Sequence, residues 1–333
     1  MILRILKSNR AINLILFPLI GILLWGRSLI EPFTYQFYSG ENNNILFAPI
    51  FKLLEQQNFL QVLISLILVI FTGFLIQQVN DRFGFIRART KLPASIFVLF
   101  VGGFINMHTL HPVFFAGIFL IFAIHSLFAV FDNPNPFPQI FNAGFFIGIG
   151  SLFYFNMIIV LPAFLIGIMI LCRDFHWREF VIMLIGAIIP FIFATSYAYL
   201  TDQLLDFLYT LEKNIITPVN HFRTNYVLQG FLGFLIVLTI IGSIKLLQQY
   251  DTRKVSSRKY YLVFLFIFIF SLTSFTFVPA VSQEMLVISI IPITFLVSNM
   301  FVSIASRFWS EFLFVILLII VIFIQFSDYF IHG

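Results

Sequence analysis

Ionisable side chains are scarce in this sequence and gather in short stretches between apolar runs, so each is a candidate for chemistry. Glu31 and Glu41 stand in the first long polar stretch, where a carboxylate can take a proton from a hydroxyl group. Arg27, His108, His111, His221 and Arg223 are cations of the kind that hold a phosphate through charge-assisted hydrogen bonds. Arg27 and Glu31 are four residues apart and share a face if the first helix continues; a local ion pair ahead of Pro32 explains them equally simply. Glu41 follows Ser39-Gly40 and precedes Asn42-Asn43-Asn44, a composition that also suits a solvated turn.

His108 and His111 bracket the turn from Asn106 to Pro112. A spacing of three could hold a metal, but no third ligand lies nearby, so no metal site is expected. Phosphate recognition and ordinary loop hydrogen bonding both remain open there. His221 and Arg223 come just before an apolar run, where free backbone N–H groups at a helix start help to bind an anion. An anchor to lipid headgroups accounts for the same pair. His125 lies inside an apolar run and reads as a packed histidine or a proton relay. Gly144 and Gly148 form G-x-x-x-G, which lets two helices approach closely. The run Cys172-Arg173-Asp174-Phe175-His176-Trp177-Arg178-Glu179 reads as a basic turn with aromatic anchors. There is no Walker A loop, no dinucleotide fingerprint and no H-E-x-x-H, so ATP-driven transport by this chain alone and a bound cofactor are not expected.

The elements that carry these residues follow from composition. Of 333 residues, 60% are hydrophobic and only 10% charged, where a soluble globular chain carries about 25% charged residues. A bilayer is the solvent that suits such a surface, and the expected fold is an all-α polytopic transmembrane bundle, residues 1–333 forming a single integral membrane domain. Apolar segments fall at 11–30, 58–77, 93–107, 112–131, 141–155, 157–172, 179–199, 227–244, 260–278, 285–304 and 309–327, about 11 in all. Segments 93–107, 141–155 and 157–172 are short for a perpendicular span and are expected to be tilted or re-entrant. The N-terminal Arg4, Lys7 and Arg10 resemble a signal peptide, but Gly26-Arg27-Ser28 is a poor cleavage site, so 11–30 is read as a retained first span.

Alternating these segments puts Arg4, Lys7, Arg10, Arg82, Arg87, Arg89, Lys91, Arg173, Arg178, Lys245, Arg253, Lys254, Arg258, Lys259 and Arg307 at one end. Only Arg27, Lys52, Lys213 and Arg223 fall at the other. By the positive-inside rule the chain is N-in and C-out, in a bacterial inner membrane. The basic residues sit in short loops rather than on one face, so no nucleic-acid partner is expected. The outer stretches 45–57 and 201–216 show helical amphipathic patterns and are expected to lie in the interface, with Pro49 making the first the weaker of the two.

The layout from Arg27 to Lys52 resembles the GT-C superfamily of membrane glycosyltransferases, which use polyprenyl-phosphate sugars. That resemblance implies an N-in first helix, an acidic residue in the first outer loop, and interfacial helices there. The paired acidic motif usual in that loop is absent, leaving Glu31 and Glu41 as single carboxylates. The His111-Pro112 step is similar to a His-Pro element of protein mannosyltransferases. The chain, rich in Phe, Ile and Asn, also resembles an uncharacterised family of Bacteroidota inner-membrane proteins. The leading expectation is a GT-C-like transferase in which Glu31 or Glu41 activates an acceptor. Arg27, His108, His111, His221 and Arg223 would hold the phosphate of a polyprenyl lipid. A transporter or lipid flippase and a non-catalytic subunit with protein partners in the membrane are the alternatives.

Overall fold

A computed structural model describes residues 2–7, 13–37, 40–86, 90–173, 175–216, 225–248, 254–304 and 306–326. All regular secondary structure among the described residues is helical, with no strand among them. Every one of the eleven apolar segments falls on a helix. Six are long and apolar enough to cross a membrane: Asn58–Phe83, Trp177–Leu200, Tyr226–Leu246, Val255–Phe277, Met285–Ser303 and Arg307–Gln325. The protein is a multi-pass helical membrane protein. The other five, Leu14–Ile30, Leu92–Gly102, Pro112–Phe128, Phe137–Phe153 and Phe155–Leu171, are shorter.

In chain order the helices are α1 (Ile2–Lys7), α2 (Asn13–Ile30), α3 (Ala48–Leu54), α4 (Asn58–Phe83), α5 (Leu92–Gly102), α6 (Pro112–Phe128) and α7 (Phe137–Phe153). They continue with α8 (Leu161–Leu171), α9 (Trp177–Leu200), α10 (Leu204–Lys213), α11 (Tyr226–Gln248), α12 (Val255–Phe277), α13 (Met285–Ser303) and α14 (Arg307–Gln325). Prolines explain several boundaries. Pro49, Pro93, Pro112, Pro138 and Pro162 sit in first turns, where the missing N–H costs no hydrogen bond. Pro49 therefore starts α3 rather than breaking it. α4 ends on Gly84, whose φ of 60° lets the chain turn back and its N–H close on the Asn80 carbonyl.

Burial ranks the helices. α13 is the hub, with 94% of its apolar window inside the bundle, whereas α9 has 28%. α13 packs on α5, α6, α11 and α12, and α9 runs along α7 at the rim. The α7–α9 contact is set by glycine. A Cβ at Gly144 would meet the carbonyl of Met183, one at Gly148 that of Ala187, and one at Gly186 that of Phe141. The G-x-x-x-G motif is thus a packing device, as small residues at a helix crossing usually are.

The segments 141–155 and 157–172, expected as short or re-entrant, form α7 and a returning leg that begins as a 3-10 turn at Phe155–Val160 and continues as α8. α7 packs along α6 as well as α9. Hydrogen bonds tie one set of loops at one end: Tyr260 donates to the Phe128 carbonyl, Tyr261 to Phe85, and Lys7 to Ser310. At the opposite end α10 lays Phe207 and Leu211 on Leu152, Ala194 and Ala198, together with Ile45 and Leu46 of the first long loop. Its Leu205, Leu208 and Tyr209 remain exposed.

Candidate functional site

The α10 end gathers polar groups from four distant parts of the chain. Glu41 opens a short 3-10 turn at Glu41–Asn43 and is buried, although its neighbours in sequence are asparagines. Glu284 caps the start of α13 and is fully buried. His111 precedes Pro112 at the start of α6 and is fully buried. Tyr35, in the irregular strand-free segment after α2, donates its hydroxyl to Glu284 Oε1 at 3.0 Å. His111 Nδ1 faces the same oxygen at 3.5 Å. Ser282 Oγ reaches Glu41 Oε1 at 3.5 Å.

Electrostatics couples the two acids. Burial first, and then the Glu284 carboxylate, push Glu41 well above the usual carboxylate range, with Ser282 pulling the other way. Tyr35 is pushed up by burial and then by Glu284 and Glu41. Tyr154, fully buried at the end of α7, is pushed up by burial and by the same two acids. Glu41 is thus biased toward its protonated form. The His111 tautomer follows from its other nitrogen: Nε2 lies 2.8 Å from the Asn106 carbonyl, which only accepts, so Nε2 holds the hydrogen. Nδ1 and Glu284 Oε1 then need one shared proton to become a hydrogen bond.

Several atoms of this end have no hydrogen-bond partner although fully buried: His111 Nδ1, Glu284 Oε2, Tyr154 Oη, Asn156 Nδ2 and Asn214 Oδ1. Each unmet group of this kind costs about 1–3 kcal/mol. Asn44 and Asn214 bridge the first loop to α7, through Asn214 Nδ2 to Asn44 Oδ1 at 3.0 Å and Asn44 Nδ2 to the Phe153 carbonyl at 2.9 Å. Over the acids lies an aromatic cover, with the rings of Tyr35 and Phe37 at 4.6 and 5.4 Å from that of His111. Beside it an apolar groove of about 490 Å³ runs between Ile45, Leu46 and Pro49 on one wall and Leu152, Pro190 and Tyr197 on the other.

The residues singled out from sequence separate here. Glu41 and His111 share the cluster. His108 is buried three residues from His111, but both its ring nitrogens are engaged: Nε2 donates to the Gly102 carbonyl at 3.1 Å and Nδ1 accepts from Ser28 Oγ at 2.8 Å. Its ring stacks on Trp25 at 4.0 Å, and Trp25 and Ser65 both donate to its carbonyl. Burial pulls its pKa down to about 4, so it is a neutral clasp of the turn. Arg27 and Glu31 are exposed at the end of α2, joined through the Glu31 N–H and the Arg27 carbonyl. His221 and Arg223 lie outside the described residues. Among the described residues no group of three or more His, Cys, Asp or Glu has metal-binding geometry.

Glu284 was not singled out from the sequence. Its signal is cost: a carboxylate directly before a nineteen-residue helix, seventeen residues of it buried, is expensive unless it is used. Tyr35 and Tyr154 gave no such signal, because tyrosines are common at membrane boundaries.

The profile of DUF6427, a family of unknown function, matches residues 43–330. No curated protein matches the sequence. Among solved structures, the crystal structure of ArnT from Cupriavidus metallidurans bound to undecaprenyl phosphate is similar, with 13% identity and a TM-score of 0.48 over 91% of this chain. The chain spans 62% of the length of that protein.

Proposed function

The chain belongs to the DUF6427 family, and we propose that it is a GT-C-like transferase acting on a polyprenyl-phosphate-linked sugar at the outer face of a bacterial inner membrane. In this reading the eleven helical segments form one integral membrane domain, N-in and C-out, with α3 and α10 in the outer interface. The observation that carries the proposal is the convergence of Glu41, Glu284 and His111 in one buried polar cluster beside an apolar groove.

The chemistry needs a base, a held phosphate and a dry site. Glu284, with His111 at its side, takes the proton of the acceptor hydroxyl as that oxygen bonds to the anomeric carbon. The bond from that carbon to the phosphate oxygen breaks, and the lipid phosphate leaves as an anion. Arg27, His221 and Arg223 are assigned to that anion, and Glu41 supplies a proton when the phosphate requires one. Glu41, read from sequence as a base, is thereby recast as the proton donor of the pair. Glu31, exposed on the rim, has no part in the step, and His108 holds the turn rather than the phosphate. The groove lined by Ile45, Leu46 and Tyr197 takes the polyprenyl chain. Transfer from a radiolabelled polyprenyl-phosphate sugar, measured in membranes, tests this. Glu284→Gln and Glu41→Gln should each reduce transfer, and full activity in both would remove the proposed centre.

A second reading, a transporter or lipid flippase, draws on α13. Its Thr294, Ser298 and Asn299 are buried with unpartnered polar atoms, whereas Ser289 one turn earlier donates back to the Met285 carbonyl. Unsatisfied polar groups in the hub helix suit a hydrated path. Movement of labelled lipid by the purified protein in liposomes, unaffected by Glu284→Gln, would favour it.

A further inference from the structure

The end of the bundle opposite the acid cluster holds a second pocket, unrelated to the proposed transfer. The loop before α7 and the loop before α9 border a cavity of about 500 Å³, lined by Asp132, Asn133, Cys172, Arg173, His176 and Glu179. That volume lies in the range of about 300–1,000 Å³ typical of small-ligand sites.

Its charges are of both signs, with Asp132 on one loop and Arg173 on the other. Arg173 and His176 are exposed on one loop, and His176 and Glu179 close the start of α9 as a capping box. Asp132 stands on the other loop at φ 60°, a left-handed conformation that an aspartate tolerates. Glu179 is buried, and one of its oxygens accepts the His176 backbone N–H at 3.0 Å while the other lies 3.9 Å from His176 Nδ1. A ligand with a phosphate at one end and an ammonium at the other complements this lining, and one with a single charge does not. The place of the cavity narrows the source. α9 leaves it with Trp177 72% exposed, and Val181, Leu184 and Ile185 exposed on the following turns. The opening therefore lies where an apolar, lipid-facing helix begins.

We propose that this cavity binds a phosphoethanolamine group, its phosphate toward Arg173 and its ammonium toward Asp132. The same chemistry is offered by an aminophospholipid headgroup and by a free phosphoamine, and the test separates them. Purified full-length protein is exchanged into detergent with phosphatidylethanolamine or phosphatidylglycerol, and retained lipid is counted by native mass spectrometry. The expected result is retention of phosphatidylethanolamine about tenfold above phosphatidylglycerol, falling about tenfold in Arg173→Ala and in Asp132→Asn. Both side chains are exposed loop positions, so thermal unfolding of the variants should match that of the parent. Displacement of the lipid by soluble O-phosphoethanolamine supports the headgroup as the recognised part. Binding of the soluble compound with no lipid preference, lost in the same two variants, keeps the site and assigns it to a free phosphoamine. Equal retention of the two lipids with no binding of the soluble compound, or undiminished binding in both variants, overturns the proposal. Loss of sugar transfer in Glu284→Gln leaves this result unaffected, so the two readings fail separately.

Discussion

The two ends of the bundle treat charge in opposite ways. At the α10 end Glu41, Glu284 and His111 are fully or almost fully buried, and unpartnered polar atoms accumulate around them. At the other end Lys91 meets Asp81 at 3.0 Å, the buried Glu179 accepts the His176 N–H, and Asp132 and Arg173 are exposed. Exposed pairs contribute about 0–1 kcal/mol and can be altered at little cost. Buried, half-satisfied acids are expensive, and a fold keeps them only where something else is gained. The contrast teaches that the acid cluster buries its carboxylates together, while the far end leaves most of its charges in contact with solvent. Each expected outcome below attacks or refines that contrast.

The largest effect is on transfer. Glu284→Gln keeps the shape of the side chain and removes the base, and should lower sugar transfer by about 10²–10⁴-fold in a membrane assay. Arg173→Ala at the far end should leave transfer within about twofold. Equal losses in the two variants would erase the distinction between the ends.

Next in size is the pH dependence of the clasp. His108 titrates near 4 in the folded chain against 6.5 when exposed, so the unfolded chain takes up its proton first on acidification. Its contribution is complete above pH 6.5 and is lost as pH falls toward 4, by about 3 kcal/mol. A thermal-unfolding series from pH 7.5 to pH 4 should show that loss. It should shrink in His108→Gln, which lowers stability at neutral pH but has no ring proton to gain.

A smaller loss is expected where helices touch. Gly144→Ala drives a methyl group into the Met183 carbonyl and should destabilise the protein by about 1–3 kcal/mol, read as a lowered Tm. Gly230→Ala on α11 meets nothing within 4 Å and should be neutral or slightly stabilising. A neutral Gly144→Ala would mean that α7 and α9 are not pressed together.

Much of the fold was legible because a bilayer leaves few choices. Apolar runs such as 285–304 have to be helices, and all eleven expected segments fall on them. The amphipathic pattern of 201–216 was equally legible, since Phe207 and Leu211 must be covered and Leu205 need not be. Pro49 misled only in degree, because whether a proline breaks or begins a helix depends on where the first turn falls. The site was half legible. Glu41 and His111 could be chosen as outer-loop ionisable groups, but the Glu284 that joins them lies more than 170 residues away from either. No local pattern records such a meeting. His108 and His111 have the same spacing to the turn and opposite roles, because one ring faces Trp25 and Ser28 and the other faces an acid.

The central claim is that Glu41 and Glu284 share one pocket and penalise each other's charge, and a double-mutant cycle on thermal stability measures it without knowledge of any substrate. The Glu41 carboxyl is held up by burial and by Glu284, so its burden on the fold is absent below about pH 4.5 and grows as pH rises. Glu41→Gln should therefore raise Tm at pH 8, and the part of that gain due to Glu284 should vanish when Glu284 is already glutamine, leaving the larger part due to burial. Gains of equal size in the two backgrounds would contradict the account, because they would show two acids that do not feel each other.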